Sequence, residues 1–250
     1  MSGEDDLLTE AQFRELAARG AAELDGAGAT ELLGWTDRTF PGKWVVACNM
    51  QDAVLVDLAA TVRPGVPVIF IDTGNEFPET IGMRDAVAAT YDIRLITITP
   101  EPSVLELGTS LCYTDPGECC RLRKVVPLAK ALPEYCAWVT GLRRADASTR
   151  SDAPLVSFDE KFKLVKVNPL AAWSDQDMTD YITQHNVLVN PLVHEGYPSI
   201  GCAPNTTKPA PGADKRSGRF AGFNKTECGL HVTSPRLRPA GPDVRHTGGL

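Results

Sequence analysis

Cysteines are the side chains here best able to carry chemistry: the 250 residues contain seven, and four of them stand in unusual runs. Cys119 and Cys120 are adjacent within Gly117-Glu118-Cys119-Cys120-Arg121-Leu122-Arg123-Lys124. Neighbouring cysteines do not readily bond to each other, but both can ligate one iron–sulfur cluster. The bland alternative is a pair of core cysteines packed as small hydrophobes, and the charged flanks argue against it. Cys202 lies in Tyr197-Pro198-Ser199-Ile200-Gly201-Cys202-Ala203-Pro204-Asn205, upstream of Lys215-Arg216-Ser217-Gly218-Arg219. Cys228 lies in Lys225-Thr226-Glu227-Cys228-Gly229-Leu230-His231. An odd number of cysteines leaves at least one thiol unpaired. The acidic start, Met1 to Glu10, lacks the basic and apolar segments of a secretory signal, so the default expectation is a cytoplasmic protein. In that compartment thiols are read as metal ligands or reactive groups rather than as a disulfide framework.

Charge is unevenly distributed. The chain carries a net charge of −7, which argues against nucleic acid as a partner. Residues 208–250 nevertheless hold eight Lys/Arg against three Asp/Glu, a net +5, which leaves −12 on the rest. A basic C-terminal segment against an acidic body suits a small anionic ligand held between them. On charge alone, a solvated basic tail is the stronger reading. No apolar run approaches the ~20 residues of a membrane helix, so no membrane is expected as a partner. At 43% hydrophobic and 23% charged, the composition is that of an ordinary globular chain.

These residues need a scaffold, and the hydrophobic pattern supplies one. Leu7 to Leu24 reads as an amphipathic helix, followed by a loop rich in Gly and Thr. Trp44 to Ala47, Val66 to Ile71, Ile93 to Thr97 and Ala137 to Thr140 read as buried strands, and Leu164 to Val167 as an edge strand. Helices are expected at Asp52 to Ala60, Glu79 to Thr90, Lys124 to Leu132 and Asp175 to Gln184. Strands alternating with helices imply an α/β fold, a mainly parallel twisted sheet with helices on both faces. Beyond Asn190, Pro, Gly, Thr and Lys dominate and an irregular C-terminal segment is expected. The organisation is one domain overall: an N-terminal helical segment at 1–40, an α/β nucleotide-binding unit at 41–190, a cysteine-bearing segment at 191–231, and a disordered tail at 232–250.

In such sheets ligands bind at the carboxyl ends of the strands. Ala47-Cys48-Asn49-Met50-Gln51-Asp52 follows one strand and leads into a helix, whose free N–H groups favour an anion. Ile71-Asp72-Thr73-Gly74-Asn75 follows the next, with Gly74 permitting a tight turn. Either connection alone is ordinary; together they suggest a nucleotide site using Cys48, Asp72 and Gly74.

Taken in order, these motifs strongly resemble the assimilatory sulfonucleotide reductases. The resemblance rests on Ile71-Asp72-Thr73-Gly74, Cys119-Cys120 with its Arg and Lys, Thr140-Gly141-Leu142-Arg143-Arg144, Gly196-Tyr197-Pro198-Ser199-Ile200-Gly201-Cys202, Arg216-Ser217-Gly218-Arg219 and Glu227-Cys228-Gly229-Leu230-His231. It covers about Trp44 to His231 and is greatest to the bacterial adenylyl-sulfate reductases. It implies the adenine-nucleotide α-hydrolase-like fold. It also implies that Cys228 attacks the sulfur of adenylyl sulfate, that AMP leaves, and that thioredoxin releases sulfite from the S-sulfocysteine. An ordinary thiol is only about 3% thiolate at neutral pH, so the site should supply positive charge. Lys124, Arg216 and Arg219 are the candidates, also as anion holders, with His231 assisting and Arg143 and Arg144 on phosphate or ribose. A mobile Gly229 would let Cys228 move between its two partners.

Cluster-bearing members pair Cys-Cys with Cys-x-x-Cys around a 4Fe–4S group. Here Cys119, Cys120 and Cys202 match, but the fourth position is Asn205, a neutral and hard ligand where iron prefers thiolate. A three-cysteine cluster with water or another ligand, a labile cluster, or none are the open outcomes, and the first two are favoured. Cys48, Cys112 and Cys136 are spare thiols, Cys136 being expected in the core. In this family the cluster accompanies adenylyl sulfate, while clusterless members use the 3′-phosphorylated nucleotide. A 3′-phosphoadenylyl-sulfate reductase is therefore the alternative enzyme, a non-catalytic nucleotide or metal sensor the alternative of another class, and a zinc protein a weaker one.

Overall fold

The computed structural model describes residues 8–223, 225 and 227–231. The tail expected at 232–250 lies outside them. Two helices open the chain, α1 (Glu10–Glu23) and α2 (Ala29–Thr39). Thr9 starts α1 through a capping box, its hydroxyl accepting from the Gln12 N–H while the Gln12 side chain accepts from the Thr9 N–H. Helix α2 occupies the stretch expected to be a loop. Gly28, Gly34 and three threonines mask its pattern, yet Leu32, Leu33 and Trp35 are buried on the core side.

Then β1 (Trp44–Ala47), α3 (Val54–Val62), β2 (Val66–Ile71), α4 (Pro78–Thr90) and β3 (Ile93–Ile98) alternate. Three single-turn helices follow, α5 (Pro102–Leu105), α6 (Ser110–Thr114) and α7 (Pro116–Cys120). The last runs through a π-helical turn, Arg121–Val125, into α8 (Val126–Ala131). Strand β4 (Ala137–Thr140), the pair β5 (Val156–Asp159) and β6 (Leu164–Val167), α9 (Asp175–His185) and α10 (Pro191–His194) complete the order.

The six strands lie in the order β3-β2-β1-β4-β6-β5. All pair in parallel except β5, which is antiparallel to β6. Strand β6 is thus interior rather than at the edge. Every residue of Leu164–Val167 is buried, and the preceding β5, too polar to announce itself, takes the edge position. Strand residues alternate between two cores. Trp44, Val46, Val68, Phe70 and Val139 pack with α1 to α4 on one face, and Val45, Ile69 and Trp138 pack with Leu128 of α8 on the other. Helices therefore cover both faces, as the alternating pattern implies. The chain reverses its direction of travel across the sheet between β1 and β4, which opens a crevice at their carboxyl ends.

Candidate active site

That crevice is a cavity of about 430 Å³, within the usual size range for small-ligand sites. Its floor is made by the ends of β1, β2 and β4, including Ala47, Ile71 and Thr140. The loop after β1 contributes Cys48 and Asn49, and the C-terminal segment closes over the opening with Ser199, Ile200, Gly201, Arg216, Arg219, Cys228, Leu230 and His231. Lys124, Arg143, Arg150 and Lys215 also line it. Cationic side chains from four separated stretches of sequence thus share one hollow with a cysteine, which is a setting for an anionic ligand and a thiolate.

Cys228 sits in a strip of chain anchored residue by residue. Before it, Glu227 accepts from Arg150 at 2.8 and 2.7 Å and from Arg216 at 3.1 Å. After it, the Gly229 carbonyl accepts from Lys161. Leu230 packs into the second core, and His231 stacks on Trp138 at 5.9 Å between ring centroids. Gly229 has φ +87°, a conformation that favours glycine at this turn. Further upstream, Lys225 donates to the Pro116 carbonyl at 2.7 Å, so the strip is tied directly to the helix bearing Cys119 and Cys120.

Burial pushes the Cys228 thiol up, but Lys124, the Leu230 N–H and Arg219 outweigh burial and the opposing Glu227. The net effect holds it below the ordinary thiol value. Cys48 behaves oppositely. Burial pushes it up to about 12, and its sulfur accepts from the Met50 N–H at 3.4 Å, so it lines the cavity as a neutral thiol. His231 is held well below the usual imidazole value, by burial first and then by Lys166, Arg150, Arg216 and Lys161. It is therefore neutral at pH 7, with Nδ1 3.2 Å from the Lys166 ammonium.

Arg219 reaches the Ile200 carbonyl at 2.9 Å and Ser199 Oγ at 3.2 Å, while its buried Nε has no partner among the described residues. Gly201 permits this approach, because a Cβ there would collide with the Arg219 guanidinium. Arg143 lines the cavity but is committed to Asp146 at 2.7 Å, Asp175 at 3.0 Å and the Ser174 carbonyl. Arg144 lies elsewhere: it is exposed and donates to the Ala153 carbonyl at 2.8 Å, outside the cavity lining. Adjacent residues leaving β4 point different ways, so an Arg-Arg pair places only its first member in the hollow. Asp72 and Gly74 are also outside the lining. Asp72 accepts from the Gly74 N–H at 2.9 Å, shaping the turn after β2.

Four of the other cysteines, Cys119, Cys120, Cys202 and Cys112, are buried outside the cavity lining. Cys202 Sγ stands 3.4 Å from Thr73 Oγ1, and the Cys112 and Cys119 sulfurs stand 2.9 Å apart. The π-helical turn after Cys120 presents neighbouring residues to different structures. Arg123 is buried and donates to the carbonyls of Thr73, Val104 and Gly108, each at 2.7 Å. Lys124 instead lines the cavity, within the electrostatic reach of both Cys202 and Cys228. Asn205 is buried, and its Oδ1 has no partner among the described residues. Among those residues, no three His, Cys, Asp or Glu side chains converge on a single metal ion. Cys136, expected in the core, is only half-buried at the core's margin.

Arg150 and Glu76 line the cavity, and Lys166 stands 3.2 Å from His231, although motif reading did not single them out. Lys166 left a signal, a lone charge inside the apolar run Leu164-Val165-Lys166-Val167. Arg150 left none, standing in an irregular stretch between β4 and β5.

A mostly parallel sheet with a cation-lined crevice at its switch point, and on a C-terminal strip a cysteine held below the ordinary thiol value, are the features of a nucleotide-binding, thiol-dependent class of protein. The chain belongs to the phosphoadenosine phosphosulfate reductase domain family, whose model matches residues 43–208. It is 64% identical over 254 residues to the adenosine 5′-phosphosulfate reductase of Mycobacterium tuberculosis strain H37Rv, covering 93% of this chain and all of that one. To the adenosine 5′-phosphosulfate reductase of Mycolicibacterium smegmatis it is 65% identical, covering 90% of this chain and 97% of that one. A solved phosphoadenylyl-sulfate reductase from Candida auris, in a phosphate complex, superposes with a TM-score of 0.66 at 27% identity, over 82% of this chain and 100% of that one. An FMN adenylyltransferase from Candida glabrata, at 16% identity and TM-score 0.52, shares the fold alone. The family and the α/β architecture expected from the motifs are both borne out.

Proposed function

We propose that this protein reduces adenylyl sulfate to sulfite and AMP, through an S-sulfocysteine on Cys228 that thioredoxin resolves. The observation that carries the reading is Cys228 in the wall of the cavity together with Lys124, Arg216 and Arg219, its thiol held below the ordinary value. The named relatives point to the same nucleotide.

In the first step the Cys228 thiolate attacks the sulfur of the bound sulfate group. An S–S bond forms, the S–O bond to phosphate breaks, and AMP leaves with the electron pair. Arg219 and Arg216 hold the sulfate and phosphate oxygens, where charge grows on the leaving group. Arg143 orients the nucleotide from the other side, and Cys48 contributes a neutral, closely packed wall. In the second step a thioredoxin thiolate attacks Cys228 Sγ and sulfite departs with the bonding electrons. The second thioredoxin thiol then returns Cys228 to the reduced state, so the dithiol supplies both electrons. Neutral His231 orients the strip through Trp138 and Lys166. This chemistry needs a compartment that keeps thioredoxin reduced, which favours the cytoplasm.

By the chemistry of the donor set, the buried thiols of Cys119, Cys120 and Cys202, with Lys124 near them, are the residues that would hold an iron–sulfur cluster of the 4Fe–4S type. Such a group, when bound, supplies a compact anionic centre that fixes Lys124 and the segments around it. Asn205 withholds the fourth thiolate at its own position.

Mass spectrometry after incubation with adenylyl sulfate tests the main reading. The expected result is a sulfonate adduct on Cys228, absent in Cys228→Ser and removed by reduced thioredoxin with release of sulfite. Adduct formation only with the 3′-phosphorylated nucleotide would replace the substrate assignment. No adduct with either nucleotide would sink both enzyme readings.

A further inference from the structure

Cys112 lies outside every motif and outside the chemistry assigned to the cavity, yet it is fully buried on α6, a single-turn helix whose next residue, Tyr113, is 58% exposed. Its sulfur points into the cysteine group, 2.9 Å from Cys119 Sγ. Unbonded thiols do not ordinarily pack this closely, and the separation is longer than the ~2.05 Å of a disulfide. Helix α6 also packs against the 3₁₀ turn Ala203–Asn205, so the helix that carries Cys112 lies against the turn that lacks a thiolate.

The loop after β2 joins these groups. Thr73 Oγ1 is 3.4 Å from Cys202 Sγ, and two residues later Asn75 Nδ2 donates to Cys112 Sγ at 3.3 Å. The Asn75 carbonyl accepts from the Ala203 N–H at 2.8 Å, directly after Cys202. An amide N–H aimed at a buried sulfur suits a thiolate, and hydrogen bonds to the ligand sulfurs are a standard feature of iron–sulfur sites. Asn205, by contrast, offers a neutral, hard oxygen that is buried with no partner among the described residues.

We propose that Cys112 is the fourth ligand of the cluster in this chain, so that Cys112, Cys119, Cys120 and Cys202 hold it and Asn205 does not. The inference rests on the cluster reading above. Binding releases the thiol proton of Cys112. Holding the group would require the Cys112 and Cys119 sulfurs to separate from their 2.9 Å contact, which a change of Cys χ1 rotamer allows. The ligand set has thus moved from the Cys202 turn to the facing helix, while a full complement of four thiolates is kept.

The experiment compares wild type, Cys112→Ala, Asn205→Cys and the Cys112→Ala/Asn205→Cys double variant. All are purified without oxygen and reconstituted with ferrous iron and sulfide. Iron and acid-labile sulfide are counted per chain, and electron paramagnetic resonance is recorded after mild oxidation. Wild type should hold about four irons. Cys112→Ala should hold fewer and give a three-iron signal, and the double variant should recover the four-iron content. That recovery excludes a mere folding defect. A Cys112→Ala protein with full iron content and an unchanged spectrum overturns the assignment while leaving the cluster reading intact. So does a Cys112–Cys119 disulfide in the iron-loaded protein. Wild type that takes up no iron, where Asn205→Cys does, overturns the assignment and removes the cluster from the native chain. Cys228 adduct formation, measured in parallel, reports separately on the catalytic reading.

Discussion

Arg150 meets Glu227 with two nitrogens on two oxygens, at 2.8 and 2.7 Å, one residue before Cys228. The two side chains are 77 positions apart in sequence and each is only 11% exposed. A two-point, largely buried ion pair of this kind orients as well as attracts, and here it sets where the strip carrying the thiol lies. Arg150→Ala should free the strip at a cost of about 1–3 kcal/mol. Hydrogen exchange at 227–231 should then accelerate, and Cys228 adduct formation should slow by roughly tenfold or more. Unchanged exchange would show that Lys161, Leu230 and His231 hold the strip without the pair.

The same pair carries a pH dependence. Burial raises the Glu227 carboxyl, but the hydrogen bond and charge of Arg150, with Arg216 and Thr149, lower it further, to a net value below the usual carboxylate range. A depressed acid stabilises the folded arrangement above its unfolded value and loses that contribution as pH falls through the folded one. Protection of 227–231 should therefore weaken as the solution is acidified below the ordinary glutamate range. In Glu227→Gln that acid sensitivity should disappear, which exchange measured across pH would reveal.

Lys124 offsets the burial of Cys228. Lys124→Met should leave the thiol more protonated at neutral pH, slowing its alkylation by the uncharged reagent iodoacetamide roughly tenfold. The midpoint of the alkylation–pH profile should move upward. A profile that stays in place would assign the activation to Arg219 and the Leu230 N–H instead.

Gly201 is present because Arg219 passes over it. Gly201→Ala should displace the guanidinium from Ser199 and Ile200 and weaken nucleotide binding by about tenfold to a hundredfold, the worth of one charge-assisted contact. Isothermal titration with AMP and with adenylyl sulfate is the check, the loss being larger for adenylyl sulfate if Arg219 holds the sulfate end.

Lys166 is nine-tenths buried against Trp138 and His231, and burial first, then Arg150 and Lys161, lower it to about 8 against the pull of Asp159 and Cys228. The unfolded chain binds this proton up to about 10.5. Between the two values the unfolded state therefore holds more protons, and the contribution of this residue to stability rises with pH. Denaturant titrations from pH 7 to 10 should show that rise, at most about 3 kcal/mol, and Lys166→Met should flatten it.

Much of the fold was legible because the interior strands of a parallel sheet are apolar runs whatever their surroundings, as in Val66–Ile71 and Ala137–Thr140. The motifs around Cys119, Cys202 and Cys228 likewise identified the family, because local spacing around cysteines and glycines survives in sequence. Helix α2 was hidden by its glycines and threonines, and β6 was misread as an edge because strand order is a property of pairing, not of any one segment. Which arginine lines the cavity was also beyond the sequence. Arg143 and Arg144 are chemically identical neighbours, and only the direction of the chain leaving β4 places the first in the cavity and the second on the Ala153 carbonyl. The same holds for Arg150 and Cys112. One is a basic residue in a loop and the other a spare thiol, until folding brings the first to Glu227 and the second to Cys119. Residue types and local spacing determined the chemistry available to this chain; long-range packing decided which side chains share it, since contacts between distant segments depend on the whole arrangement of the sheet.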